Sequence, residues 1–295
     1  MLFRGSITAL ITPFSGADVD EDSFCRLVRW QIEQGTHGFV PCGTTGESPT
    51  LSHDEHNRVV ALCIEEAQGR VPVMAGCGSN STKEAIELAR HAQAAGANGI
   101  LVVAPYYNKP NQEGLYQHFK AVAAATTLPL FVYNIPGRSI VDIHDETLVR
   151  LFACDTIAGI KDASQDLARP LAMRLAAQEA GRDFCQLSGE DATVVPFLSM
   201  GGVGCISVSS NVAPRLCADL HEAWWAGDWK KADTLNQRLY PLHSVLFTEP
   251  NPVPVKYAAS LLGLCQEDVR NPLVPASKET KQHVKDTIHQ LKLQA

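Results

Sequence analysis

The apolar positions of the chain gather into short runs that alternate with longer stretches of helical spacing. Runs of four to six residues lie at 6–10, 38–41, 71–75, 99–104, 128–133, 157–161, 184–187 and 204–208. They are nearly continuous in their apolar character, which is the pattern of parallel strands covered on both faces by helices. Between them, 21–34, 53–67, 83–95, 112–126, 146–152, 167–180 and 192–200 read as helices. In the first of these, Phe24, Leu27, Val28 and Ile32 share one face, and Gly35 supplies the stop. Ser81-Thr82-Lys83-Glu84 has the form of an N-cap with an acidic first turn. Strand followed by helix recurs eight times without a break in composition. This predicts an α/β chain folded as a closed (β/α)8 TIM barrel rather than an open doubly wound sheet. The first strand-to-helix turn also lacks the G-x-G-x-x-G of a dinucleotide site.

From about Ala213 the pattern is helical only, with helices expected at 214–225, 228–246, 253–262 and 277–291. Gly227, Glu249-Pro250-Asn251-Pro252 and Asn271-Pro272 separate them. The expected organisation is a catalytic barrel over 1–225 and a C-terminal helical domain over 226–295.

Composition narrows the class of function. A chain of 295 residues with 45% hydrophobic and 19% charged residues falls among ordinary globular proteins. The net charge of −7 argues against nucleic acid or an anionic membrane as partner, since both need a basic face. No cationic-then-apolar leader and no apolar run of membrane-spanning length occur, so a cytoplasmic location is expected. The nine cysteines are odd in number, with no Cys-x-x-Cys, and sit mostly among apolar neighbours as free thiols. His53 and His56 stand three apart without the further ligands of a zinc site, and no metal is expected.

In barrels of this kind the chemistry lies at the C-terminal ends of the strands. The second run leads into Gly43-Thr44-Thr45-Gly46-Glu47, whose hydroxyls and backbone amides can cradle a carboxylate, though such a sequence also makes plain turns. The fourth leads into Pro105-Tyr106-Tyr107-Asn108, and the fifth into Tyr133-Asn134-Ile135-Pro136-Gly137-Arg138. The sixth ends in Lys161, within Ile-Ala-Gly-Ile-Lys-Asp-Ala. The seventh and eighth lead into Ser188-Gly189-Glu190-Asp191 and Ser207-Val208-Ser209-Ser210. Taken alone, Lys161 fits a strand-end lysine that reaches water or pairs with Asp162. That is the favoured reading of this run by itself; the other is an amine held ready for a carbonyl, because burial disfavours the ammonium form. The company of Thr44, Thr45, Tyr107, Tyr133 and Arg138 favours the second reading. Lys161 is then the nucleophile, a tyrosine the proton shuttle and Arg138 a carboxylate clamp. No Asp/Glu/His cluster follows the strands, which argues against a metal-dependent aldolase.

The Gly-Thr-Thr-Gly-Glu turn, the Tyr-Asn-x-Pro-x-Arg segment and Gly-Ile-Lys-Asp, in this order and spacing, resemble the pyruvate-dependent lyase/aldolase family. The resemblance runs from Phe3 into the C-terminal helices and includes Tyr116-Gln117-His118-Phe119 and Glu249-Pro250-Asn251-Pro252. It implies a Schiff base between Lys161 and pyruvate, whose carboxylate rests on Thr44 and Thr45, with no metal or organic cofactor. It implies L-aspartate-4-semialdehyde as the second substrate, on the route to diaminopimelate and lysine. Arg138 would hold the semialdehyde carboxylate and steady Tyr133. Tyr133, linked through Thr44 to Tyr107, would relay protons, and Tyr107 would reach the site of an adjacent subunit in a homotetramer built as a dimer of dimers. Ile206 and Gly189 would shape the pyruvate pocket.

The resemblance further matches Ser48, His53, His56, Asn80, Glu84 and Tyr106 to positions that bind the feedback inhibitor L-lysine in regulated members. A carboxylate at Glu84 and an imidazole at His56 suit a ligand with a distal ammonium group. Two histidines and an acid at helix starts are also common for helical reasons alone. Pro49 departs from the small residue that some regulated members carry there. Two other functions are compatible with the same barrel. A sister aldolase cleaving N-acetylneuraminate or a 2-keto-3-deoxy sugar acid would need hydroxyl-reading groups where Arg138 stands. An inactive barrel serving as a sensor would be expected to lack Lys161, Tyr133 or Thr44, and all three are present.

Overall fold

Each apolar run becomes a strand within three residues of its expected place in the computed structural model, which describes residues 2–294. Met1 and Ala295, the outer ends of the two expected domains, lie outside the described residues. The strands are β1 (Gly5–Ala9), β2 (Gly38–Val40), β3 (Met74–Gly76), β4 (Gly99–Val103), β5 (Leu130–Asn134), β6 (Ile157–Asp162), β7 (Cys185–Ser188) and β8 (Gly204–Ser207). They form one sheet in the order β2-β1-β8-β7-β6-β5-β4-β3. Phe39 of β2 makes a parallel bridge to Val73, the residue just before β3. The fold is the expected (β/α)8 barrel. Every residue of β1 and β5 is buried, which favours apolar side chains on both faces and leaves the buried Ser6, Thr8 and Asn134 to find hydrogen-bond partners. The largest displacement is at β3, which starts at Met74 instead of 71. Pro72 has no N–H to give the ladder; only its carbonyl takes part, accepting from Phe39 N at 3.0 Å.

The helices are α1 (Glu21–Glu33), α2 (His53–Ala67), α3 (Thr82–Ala95), α4 (Gln112–Ala123), α5 (Pro136–Ser139), α6 (Asp145–Leu151), α7 (Arg169–Glu179), α8 (Val194–Ser199), α9 (Pro214–Trp225), α10 (Trp229–Val245), α11 (Val253–Leu261) and α12 (Lys278–Leu291). Their starts follow local chemistry. Ser52 and Glu55 form a capping box at α2, and the Ser81, Asp228 and Ser277 side chains accept from backbone N–H groups at α3, α10 and α12. The one-turn α5 was not expected, because four residues are too few to show a period.

The chain groups into two compact units. One comprises Met1–Arg4 and Met74–Ile206. Its interior holds Phe3, Ile100, Leu101, Val102, Phe131, Val132 and Ile160, with Phe3 edge-on to Phe131 at 5.3 Å. The other comprises Gly5–Val73 and Ser207–Ala295, so the last helices share a core with the first two strands. Ile7, Leu10, Phe14, Phe24 and Phe39 are fully buried there. Asn211 ties that unit's two segments together, donating to Ala9 O and accepting from Ile11 N, at 2.7 and 3.0 Å. All nine cysteines are free, seven of them buried. Burial pushes the Cys185 and Cys265 thiols up to about 12, which disfavours thiolate chemistry. Among the described residues no helix is long and apolar enough to cross a membrane.

Candidate active site

Lys161 and Asp162 are the last two residues of β6, and successive side chains of a strand point to opposite faces. The pairing of Lys161 with Asp162 considered from the sequence is therefore not the one formed. The Asp162 carboxylate accepts from Ser164 N at 2.8 Å and faces the Arg169 guanidinium at 4.0 Å. Lys161 instead lies beside Tyr133, its register partner on β5, with Nζ 4.2 Å from the ring centroid. Both are buried, Lys161 at 7% exposure and Tyr133 at 5%. Gly189, which follows β7, completes this group. A Cβ there would stand 2.7 Å from Ala163 Cβ, closer than such atoms come, and 3.2 Å from Lys161 Cε, so a side chain at this position would press on Ala163 and crowd the lysine stem. Gly189 N donates to Asp162 O at 2.7 Å, which pins the turn to the lysine-bearing strand. Ile206 is buried in β8.

Arg138 is exposed on α5, and the segment that carries it is anchored from below. Asn134, the last residue of β5, donates through Nδ2 to Asp142 at 2.6 Å and accepts from Ile143 N at 3.1 Å. Arg169, nearly buried, donates to both Asp142 oxygens at 3.1 Å and contacts Asp145 at 3.0 Å. Burial alone would raise the Asp142 carboxyl, but the hydrogen bonds from Arg169 and Asn134 and the guanidinium charge hold it below its ordinary value. For Asp162 burial prevails and its carboxyl is raised, despite the Ser164 hydrogen bonds and Arg169. Asp142 and Arg169 escaped the sequence reading. They stand 27 residues apart, with no periodic or motif signal joining them.

The same unit brings together three of the six residues matched to lysine binding. Ser79 donates to the Glu84 carboxylate, and Asn108 Nδ2 donates to Asn80 O at 2.8 Å. Burial raises the Tyr106 hydroxyl, and the charge of Glu84 raises it further, against a hydrogen bond with the Asn80 backbone. Asn80, Glu84 and Tyr106 are thus neighbours. Tyr107, next in sequence, is 88% exposed and has φ 73°, a left-handed conformation that turns its ring outward.

In the other unit, the Gly-Thr-Thr-Gly-Glu loop after β2 folds back on itself. Gly46 N donates to Gly43 O at 3.1 Å, and Glu47 N donates to Thr44 O at 3.1 Å. Thr12 Oγ1 donates to Gly46 O at 2.7 Å. Thr45 and Glu47 are buried and Thr44 is half-buried. Asn251 Nδ2 donates to Thr45 Oγ1 at 3.0 Å, and Lys256 Nζ donates to Glu47 Oε1 at 2.7 Å. Lys256 is wholly buried and lies 4.0 Å from the Phe14 ring centroid. Arg270 N donates to the second Glu47 oxygen at 3.0 Å, and the Arg270 guanidinium clasps Glu55, holding that carboxyl down to about 2. The links of Asn251 to Thr45 and of Lys256 to Glu47 were missed from sequence. The available signal was a lysine in the otherwise apolar Val253-Pro254-Val255-Lys256 stretch. Ser48 lies in a one-turn 3-10 segment, exposed His53 opens α2, and His56 is buried one turn on.

Comparison with known proteins finds one family for nearly the whole chain. The profile of the Dihydrodipicolinate synthetase family matches residues 2–291. The chain is 60% identical over 283 residues to a 4-hydroxy-tetrahydrodipicolinate synthase of Parvibaculum lavamentivorans, covering 96% of each chain. It is 44% identical to the solved 4-hydroxy-tetrahydrodipicolinate synthase of Methylacidiphilum fumariolicum SolV, with a TM-score of 0.95 and coverage of 98% of this chain and 96% of that one. It is 35% identical to DHDPS from Cyanidioschyzon merolae solved with lysine bound, with a TM-score of 0.94 and 99% of each chain covered. With the barrel and the buried strand-end lysine already in place, these likenesses show that the chain belongs to the dihydrodipicolinate synthetase family and is a lyase of it.

Proposed function

We propose that the chain condenses pyruvate with L-aspartate-4-semialdehyde to form 4-hydroxy-tetrahydrodipicolinate, working through an imine on Lys161. The observation that carries this is the Lys161–Tyr133–Gly189 group, a buried amine with a phenol beside it and space kept open for its stem. The Lys161 amine adds to the pyruvate ketone, and loss of water gives the protonated imine. That cation withdraws electrons, the methyl group gives up a proton, and the resulting enamine attacks the aldehyde carbon of the second substrate. The substrate's own amine then adds to the imine carbon, closes the ring and releases Lys161. No metal or organic cofactor enters any step.

Roles follow from chemistry and from the matched motif. Thr44 and Thr45 offer hydroxyls and amides to the pyruvate carboxylate. Tyr133 relays protons through Thr44 and Tyr107. Arg138, exposed on an anchored turn, clamps the semialdehyde carboxylate, and Ile206 lines the pyruvate pocket with Gly189. The outward Tyr107 ring supports its action in an adjacent subunit, within a cytoplasmic homotetramer arranged as a dimer of dimers. L-Lysine is proposed to bind at Ser48, His53, His56, Asn80, Glu84 and Tyr106 as a feedback inhibitor. The grouping of Asn80, Glu84 and Tyr106 supports this, as does the lysine-bound relative.

The test is reduction with borohydride in the presence of pyruvate, followed by peptide mass analysis, and assay of pyruvate with a panel of aldehydes. The expected result is a pyruvate adduct on Lys161 and turnover with the semialdehyde in preference to sugar-derived aldehydes. An unmodified Lys161 under turnover conditions would sink the imine mechanism.

A further inference from the structure

One short segment, 251–256, grips the Gly-Thr-Thr-Gly-Glu loop at alternate residues. Asn251 donates to Thr45 Oγ1, and Lys256 donates to Glu47 Oε1. All four side chains are buried, so no solvent competes for these bonds. The second Glu47 oxygen is taken by Arg270 N, and the turn closes on its own backbone through Gly43 O and Thr44 O. The Thr45 hydroxyl is therefore fixed in position. What remains free in a hydroxyl is its polarity, since it carries one proton and two lone pairs and turns to suit its neighbours.

Asn251 removes that freedom. Its amide N–H occupies a lone pair of Thr45 Oγ1, which makes the oxygen an acceptor on that side and leaves the proton to be donated elsewhere. We propose that Asn251 is a positioning residue that commits the Thr45 hydroxyl to donating a hydrogen bond, and so selects a substrate carrying an anionic carboxylate next to its ketone. This rests on the reading that Thr45 receives the pyruvate carboxylate. A donor pointed at a carboxylate makes a charge-assisted bond, whereas a lone pair pointed at it repels. Lys256 and Arg270, by clamping Glu47, keep the loop from turning away from Asn251.

The experiment measures imine formation at Lys161 in the full-length chain, by borohydride trapping over a range of pyruvate concentrations. The variants are Asn251→Asp, Thr45→Val and the two combined. A carboxylate at 251 can only accept, so it draws the Thr45 proton to itself and turns a lone pair toward the substrate. Asn251→Asp is expected to raise the half-saturating pyruvate concentration by about 10- to 100-fold, the worth of a hydrogen bond to a charged group. The trapping rate at saturation is expected to stay within about threefold of wild type. In the Thr45→Val background the same substitution is expected to change half-saturation by less than about threefold, because no hydroxyl remains to be reversed.

Penalties that multiply in the double variant would overturn the inference, since a general disturbance or a direct charge repulsion acts without Thr45. Asn251→Leu brings no charge inside and provides the same cycle should the aspartate variant not fold. Its smaller rise in half-saturation must likewise vanish with Thr45→Val, and persistence would overturn the inference. A wild-type chain that traps no pyruvate on Lys161 refutes the underlying function as well. Trapping with independent penalties refutes only the part given to Asn251.

Discussion

Replacing Lys256 by methionine leaves the Glu47 carboxylate buried without its counter-charge. Lys256 is fully buried and the pair sits at 2.7 Å, so water cannot enter to solvate what remains. Breaking such a pair from one side costs about 3–5 kcal/mol. Here the lower end applies, because Arg270 N still donates to the other Glu47 oxygen and a methionine thioether can pack on the Phe14 ring in place of the ammonium. The expected loss is about 3 kcal/mol, which in a chain of this size lowers the melting temperature by roughly 5 °C. The pair taken whole behaves differently. Burial holds the Lys256 ammonium below its ordinary value in spite of the Glu47 charge beside it, so desolvation outweighs attraction. The combined change Lys256→Met with Glu47→Gln is therefore expected to recover most of the loss, with the glutamine still accepting from Arg270 N. Thermal melts and urea titrations of wild type, both single variants and the double variant provide the cycle. A Lys256→Met variant within about 1 kcal/mol of wild type would refute the reasoning. So would a double variant no more stable than the single one.

Gly189→Ala would place a methyl group against Ala163 and the Lys161 stem; the expected effects are a loss of about 1–3 kcal/mol in stability and at least tenfold slower trapping of pyruvate, and unchanged trapping would remove Gly189 from the site. Millimolar L-lysine is expected to slow the wild-type chain and to leave a Glu84→Ala variant unaffected; a variant inhibited like the wild type would show that Glu84 takes no part. His118, whose Nδ1 shares a hydrogen bond with Thr82 at 3.0 Å, is pulled from 6.5 to about 4 by burial. Between those values the unfolded chain binds a proton that the folded one refuses, so stability rises with pH across this window and falls as pH drops from 6.5 to 4. The contribution approaches about 3 kcal/mol, and His118→Gln is expected to flatten that part of the melting-temperature profile; an unchanged slope would refute it.

The helices and strands were legible because their causes are local. β5 and β6 are buried on both faces, and that requirement writes itself as the uninterrupted Leu-Phe-Val-Tyr and Ile-Ala-Gly-Ile runs. α2 begins where the sequence places it because Ser52 and Glu55 cap its first turn from within four residues. Lys161 stood out as a candidate once the repeat count made the strand ends significant, and the structure places it buried at the end of β6 beside Tyr133. The α5 turn was not legible, since it holds its shape through Asn134, Asp142 and Arg169 and not through a period of its own. Asp162 also found a different partner from its sequence neighbour, because the pleat turns adjacent residues to opposite faces.

By itself the sequence determined which segments are strands and helices, that they repeat as a barrel, and that a lysine, tyrosines, threonines and an arginine follow the strands. Those properties depend on burial and backbone hydrogen bonding within a few residues. Only the tertiary structure decided how the chemistry is held. Thr45 meets Asn251 across 206 residues and Glu47 meets Lys256 across 209. No periodicity spans such distances; the contacts exist because the C-terminal helices and the first two strands share one core, and their buried polar groups must find partners there.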